Sequence, residues 1–199
     1  EGEGPGALLE VARRVATAGV VPASAVLVSP GPGSHGRTAL VVRVHGARAA
    51  AEADAAKLLG PALSRASVHR DAGAQQILEA VRDQAARHPL VIRAFALPGL
   101  LPEVLAAVQD AVPMAALAAD VMSGRVRAGV DEETDTAFLE RLRSRLRALG
   151  GSLVLERSAT GALAGFPAFG SDGKTAALGR ALRARFDPDG ILSPGRFGA

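Results

Sequence analysis

The sequence predicts an α+β fold in which two ferredoxin-like (split βαβ) halves form one antiparallel sheet with helices on one face. Residues 90–158 alternate between strand and helix patterns in the order β-α-β-β-α-β, and residues 1–70 repeat this order as α-β-β-α-β. A structural repeat explains both orders, so we expect the first half to lack its opening strand. A linking helix over 71–89 and a C-terminal helix and tail over 159–199 complete the predicted organisation.

The first half is predicted from apolar spacing and β-rich runs. Its opening helix ends before Gly19 and has apolar positions at helical spacing: Leu8, Val11, Ala12 and Val15. Strands are predicted over 24–29 and 38–44. The helix predicted over 47–59 carries small and apolar residues on one face: Ala51, Ala55, Leu58 and Leu59. A short strand over 65–69 closes this half.

The linking helix and the start of the second half are predicted from the same apolar spacing and β-rich runs. The linking helix is predicted to bury one side, made of Ile77, Leu78, Val81 and Ala85. A strand over 90–97 precedes a helix in which Pro102 occupies the first turn, where proline is tolerated. The apolar stripe of that helix consists of Leu101, Val104, Leu105 and Val108. Strands are then predicted over 115–122 and 125–130, the latter alternating between polar and apolar residues.

The last helix of the second half is predicted to begin after Asp131, a good N-cap. The helix dipole favours acidic residues near the N-terminus of the helix, here Glu132 and Glu133. It favours basic residues toward the C-terminus, here Arg143, Arg145 and Arg147. Its core face is predicted to consist of Phe138, Leu139, Leu142, Leu146 and Leu149. Two glycines end it before a strand over 153–155.

Composition excludes several classes of protein. The chain has 199 residues, of which 48% are hydrophobic, and contains no cysteine. It is therefore not a disordered chain, a disulfide scaffold or a Cys-ligated metal protein. No apolar run approaches the roughly 20 residues of a membrane span. Since the net charge is only +3 and Trp and Tyr are absent, nucleic acid is disfavoured as a partner. We expect a cytoplasmic protein.

Two patterns that resemble functional motifs are better explained structurally. The loop over 31–36 matches G-x-G-x-x-G, but a strand-like run follows it, whereas a dinucleotide site needs a helix there. The four histidines lack the spacing of metal ligands: His35, His45, His69 and His88. The sequence also contains nothing that resembles a nucleophile elbow. The sequence therefore predicts no catalytic residue and no metal ligand.

Three strand arginines are the candidate substrate-binding residues. Arg43, Arg93 and Arg127 lie at strand positions opposite to the apolar positions. They are expected on the side of the sheet that helices leave open. Two interpretations of these arginines remain. They lie on a solvated or salt-bridging face, or they bind a carboxylate substrate through bidentate hydrogen bonds.

The C-terminal segment carries the most specific pattern. After a helix with Leu178 and Leu182, the chain reads Arg-Phe-Asp-Pro-Asp-Gly-Ile-Leu-Ser-Pro-Gly-Arg over 185–196. Physically, Asp-Pro stops the helix, Asp-Gly and Pro-Gly make turns, and Ile191 with Leu192 forms an apolar anchor. The segment resembles the closing motif of FAD-linked oxidases of the vanillyl-alcohol oxidase type, although Ser193 stands where that family usually has Asn.

The element order and the stretches 40–46 and 150–157 look most like the FAD-binding subunit of bacterial glycolate oxidase. This resemblance implies a cap domain over the flavin, with FAD bound by an N-terminal domain that precedes Glu1. It places Ser193 and Arg196 near that domain. Catalytic relatives carry His and Asn in a cap hairpin, but the matching hairpin over 118–126 contains neither.

We therefore expect the cap domain of an FAD-dependent 2-hydroxy-acid oxidoreductase, in an auxiliary subunit that is inactive without its FAD-binding domain. The resemblance also implies a catalytic flavoprotein subunit, an iron–sulfur subunit, a small 2-hydroxy acid, and a peripheral membrane location through these subunits. The alternative is a free-standing tandem ferredoxin-like module that binds a small molecule or a protein and has no redox role.

Overall fold

The computed structural model describes residues 5–30, 37–59, 66–131, 136–159, 165–170 and 173–192. The described chain is an α+β protein with a six-stranded antiparallel sheet in the order β2-β1-β4-β5-β3-β6. The strands are β1 (Ser24–Ser29), β2 (Ala39–Arg43), β3 (Leu90–Phe95), β4 (Ala116–Asp120), β5 (Arg125–Val130) and β6 (Ser152–Ser158). The helices are α1 (Pro5–Thr17), α2 (Arg48–Leu59), α3 (Asp71–Asp83), α4 (Leu101–Ala111), α5 (Thr136–Ala148) and α6 (Gly173–Phe186). This confirms the predicted fold class.

The second half contains every predicted element in the predicted order, β3-α4-β4-β5-α5-β6. The strands β5 and β6 flank β3, and β4 pairs with the outer side of β5. Since β1 also pairs with β4, the first half extends the same sheet by two strands. The identity of the two halves as ferredoxin-like units stays a prediction.

The strand predicted over 65–69 is wrong where the structure describes it. Residues 66–70 are irregular and exposed, and Arg65 lies outside the described residues. The run is short, and its two apolar residues, Ala66 and Val68, are exposed instead of packing against the sheet. Ser67 Oγ and His69 Nε2 hydrogen-bond each other at 2.9 Å. The helix α2 precedes this segment, and no residue of α2 is fully buried.

One face of the sheet forms the core with α4 and α5. Ile92 of β3, Val126 of β5 and Leu153 of β6 are fully buried there. The predicted stripe of α4 is buried as a whole, and the predicted face of α5 is buried except for Leu149, which packs at its margin. Helix α1 packs Leu8 and Leu9 against the same cluster. Apolar spacing therefore predicted the buried faces of α4 and α5 correctly.

We predicted that helices would leave the opposite face of the sheet open, but part of this face is covered by helical structure. A 3-10 turn (Ala85–Arg87) follows α3 and lies against Gly129 of β5, and Ala85 is fully buried. The predicted buried side of the linking helix itself, Ile77, Leu78 and Val81, is only half-buried. The linking segment thus covers one end of this face. The rest of it, called here the open face, carries Phe95, Arg125 and Arg43, which are exposed.

The prediction that Asp131 caps α5 depends on residues 132–135, which lie outside the described residues, and it stays a prediction. In the structure the Asp131 carboxylate Oδ1 contacts Nδ1 of His88 at 2.6 Å. The contact joins the end of β5 to the linking segment and so holds His88 over the sheet. Glu132 and Glu133 lie outside the described residues.

The C-terminal helix differs from the expectation in its packing. Leu178, Leu182 and Phe186 are exposed in α6, and so are Ile191 and Leu192, so the predicted apolar anchor is wrong within the described chain. Ser193 and Arg196 lie outside the described residues, as does the glycine-rich loop over 31–36. No helix in the described ranges is long and apolar enough to cross a membrane.

Replacement of Gly129 by Ala should destabilise the protein. An added Cβ would lie 2.3 Å from Cδ2 of His88 and 2.8 Å from the backbone oxygen of Ala85. We expect a loss of about 1–3 kcal/mol in the free energy of unfolding, measured by urea denaturation. Gly99→Ala is the control, since nothing lies within 4 Å of its added Cβ. Equal stability of the two variants would show that the linking segment does not press on β5.

Candidate anion-binding site on the open sheet face

Two of the predicted arginines form a pair on the open face. Arg93 of β3 and Arg127 of β5 are directly opposite each other in the strand register. Each side chain is 34% exposed. Like charges directly opposite on neighbouring strands destabilise a sheet, so the pair needs a compensating group.

Glu156 of β6 supplies that compensation. Its Oε1 lies 3.3 Å from Nε of Arg93, and its Oε2 lies 2.6 Å from Nε of Arg127. The Glu156 side chain is only 20% exposed. One carboxylate therefore bridges two guanidinium groups, and one positive charge of the cluster remains uncompensated. Arg93, Arg127 and Glu156 are called here the arginine cluster.

A β-bulge brings Glu156 to this position. Val91 pairs with Arg157 and Ile92 pairs with Leu155, so Glu156 is the extra residue between two paired positions. An extra residue shifts the side chains that follow it to the other face, which allows Glu156 and Arg157 both to lie on the open face. Without the bulge, Arg157 would point into the core.

The linking segment borders the arginine cluster with further cations. Arg127 Nη1 donates to the backbone oxygen of Arg82 at 3.4 Å, and Arg157 Nη1 donates to that of Ala86 at 3.1 Å. Arg82 hydrogen-bonds Asp83, and this hydrogen bond lowers the pKa of the Asp83 carboxyl. The four guanidinium groups here face two carboxylates, so this part of the surface favours an anion.

Arg43 lies on the same face but apart from the cluster. The strand register aligns Ala39, four residues before Arg43, with Val28, Ala118 and Arg127. Arg43 is therefore about 14 Å away across three strand spacings and about 13 Å further along the strands. Of the three predicted arginines, the structure brings together Arg93 and Arg127 only.

The hairpin between β4 and β5 shows no catalytic arrangement. Asp120 accepts hydrogen bonds from the Met122 backbone at 3.0 Å and from Ser123 Oγ at 2.7 Å, which makes it a turn-forming residue. His69 and His88 hold local structure, His45 is exposed, and His35 lies outside the described residues. Within the described ranges no group of three acidic or His side chains is placed to bind a metal.

The closing motif forms a turn centred on Asp187. The Asp187 side chain is buried and accepts hydrogen bonds from the backbone nitrogens of Ile191 at 2.8 Å and Leu192 at 3.1 Å. Arg183 Nη2 donates to the Leu192 backbone oxygen at 3.1 Å. The Phe-Asp-Pro-x-Gly-Ile-Leu pattern thus specifies a defined chain reversal, although its apolar pair is exposed.

Arg143 is a buried cation that the sequence analysis misassigned to the exposed end of α5. It donates from Nη2 to the Pro167 backbone oxygen at 2.6 Å, and its guanidinium lies 4.1 Å from the centroid of the Phe166 ring. Burial lowers the pKa of Arg143. Position 143 belongs to the same helix face as Leu139 and Leu146, which is the signal that could have revealed its burial.

The shape of the open face limits how FAD would fit. The described face is part of a sheet that presents Phe95, arginines and small aliphatic residues. Such a surface suits contact with one side of an isoalloxazine ring or with an anion, but it does not enclose a dinucleotide. Among the described residues, the open face therefore offers a surface against which a flavin ring could lie, and no enclosure for a whole FAD molecule.

Comparison with protein-family models and with curated proteins finds no match to this chain. The resemblance to FAD-linked oxidases consequently depends on the closing motif, the element order and the stretches 40–46 and 150–157.

Proposed function

We propose that this chain is the substrate-side cap domain of an FAD-dependent 2-hydroxy-acid oxidoreductase, in an auxiliary subunit of the glycolate oxidase type. FAD is bound by a separate domain, and the open face of the sheet lies toward it. The observation that carries the proposal is the arginine cluster, which places two guanidinium groups side by side on a face that the described residues cover only in part.

The chemistry of the cluster fits the carboxylate of a small 2-hydroxy acid. Arginine binds carboxylates through parallel N–H donors, and these charge-assisted bonds are among the strongest polar contacts in proteins. The cluster is partly exposed, so a small anion has access to it. An auxiliary role fits the hairpin over 118–126, which offers no imidazole as a general base.

The proposal is tested by the activity of the natural protein that contains this sequence, purified with its partner subunits. We expect glycolate or D-lactate to reduce an electron-accepting dye, and the neutral analogue glycolamide to be inactive, because it lacks the carboxylate. Failure of every 2-hydroxy acid to reduce the dye, in a preparation that contains FAD, would contradict the proposed substrate class.

A second candidate is a free-standing binding module without a redox role. It is favoured by the linking segment, which covers one end of the open face with this chain's own residues, among them the fully buried Ala85. A face that serves only to meet a flavin domain would not need this cover. Natural protein that lacks FAD but binds glycolate would favour this candidate.

A further inference from the structure

The arginine cluster contains an internal acid whose role extends beyond charge compensation. Glu156 is paired with the Nε atoms of Arg93 and Arg127. Arg127 uses Nη1 for the Arg82 backbone oxygen. Among the described residues, both terminal nitrogens of Arg93 and Nη2 of Arg127 have no hydrogen-bond partner. Three donors therefore remain for a ligand while Glu156 stays in place.

The charge of the cluster sets the charge of the ligand it prefers. Within the cluster, two guanidinium groups and one carboxylate leave a single positive charge, which one carboxylate neutralises. At its border Arg82 is paired with Asp83, and Arg157 donates to the Ala86 backbone oxygen. A dianion at the same donors would place its second negative charge close to Glu156, and like charges this close in a half-buried site are unfavourable. The β-bulge in β6 holds Glu156 beside Arg93 and Arg127.

We propose that Glu156 is a specificity-determining residue that restricts the arginine cluster to monocarboxylates. It aligns the two guanidinium groups through their Nε atoms and rejects dianionic acids. This inference rests on the proposed function, since it concerns the same site and names the charge class of its substrate.

The test compares glycolate with tartronate, a 2-hydroxy acid that carries a second carboxylate. Binding to the purified chain is measured by calorimetry for the unaltered protein and for Glu156→Gln. We expect the unaltered protein to bind glycolate about ten-fold more tightly than tartronate. In Glu156→Gln this preference should be lost or reversed, because the amide keeps the shape of the side chain and removes its charge.

Glu156→Asp is the matched variant, since it restores the charge on a shorter side chain. It should recover part of the preference for glycolate, which a purely structural role of Glu156 does not predict. Thermal unfolding of each variant shows whether it is folded at the assay temperature.

The outcomes separate this inference from the proposed function. An unchanged ratio of glycolate to tartronate affinity in folded Glu156→Gln would overturn the role of Glu156, while leaving the carboxylate site intact. Absence of binding of both acids to the unaltered protein and to both variants would overturn the site itself. The flavin content of the natural protein is independent of either result.

Discussion

Gly124→Ala should lower the free energy of unfolding by about 2–5 kcal/mol. Gly124 ends the turn between β4 and β5 with a φ of +68°, a conformation that costs a residue with a Cβ about 1–2 kcal/mol. Its added Cβ would also lie 2.4 Å from the Ala96 oxygen and 2.9 Å from the Pro98 nitrogen. Both contacts are with backbone, which cannot rotate away as a side chain can.

Gly150→Ala separates the two causes. Gly150 has a φ of +69°, but nothing lies within 4 Å of its added Cβ. This variant should show only the conformational cost of about 1–2 kcal/mol. Urea denaturation of both variants gives the contribution of the close contact as the difference. Equal losses would mean that the segment 96–98 does not pack against the hairpin as described.

Under the proposed function, Arg93→Gln should raise the KM of the oxidoreductase for a 2-hydroxy acid by roughly ten-fold or more, with a smaller change in kcat. A charge-assisted hydrogen bond contributes about 1.5–3 kcal/mol, and ten-fold corresponds to about 1.4 kcal/mol. The glutamine keeps polarity and approximate reach but loses the charge and the donor fork. A group that binds the substrate carboxylate equally before and during the reaction affects KM rather than kcat.

The matched control for Arg93→Gln is Arg43→Gln. Arg43 lies on the same face and is exposed, but it is remote from the arginine cluster. The control should therefore leave KM unchanged, and steady-state kinetics with glycolate and D-lactate provide the measurement. If Arg93→Gln also left KM unchanged, the pair would be a structural ion pair and not a substrate-binding site.

The regular elements were predictable because their periodicity is local. The strand Arg125–Val130 has the predicted bounds, and the predicted apolar stripe of α4 is buried, together with Ala107. The strand over 65–69 was wrong because a short run with alternating residues does not show whether a sheet edge is available for it to pair with. The contact of Asp131 with His88 was missed because the two residues are remote in sequence and become neighbours only through folding.

The candidate site was predictable only in part. Strand alternation placed Arg93 and Arg127 on the open face, but their direct opposition depends on β3 and β5 being neighbours, which is a property of the whole sheet. Glu156 was missed because it lies in a bulge. The pair Glu156 and Arg157 interrupts the alternation of β6, and this interruption is the signal that a bulge was needed.

The flavin content of the natural protein tests the central claim most directly. The protein that contains this sequence is purified from its source without denaturant, and flavin released by acid is identified and quantified against protein. A cap domain of an FAD-dependent oxidoreductase predicts one FAD for each copy of this sequence, on the same polypeptide or on a tightly bound subunit. A colourless protein that releases no flavin, yet is folded and retains its natural partners, would contradict it.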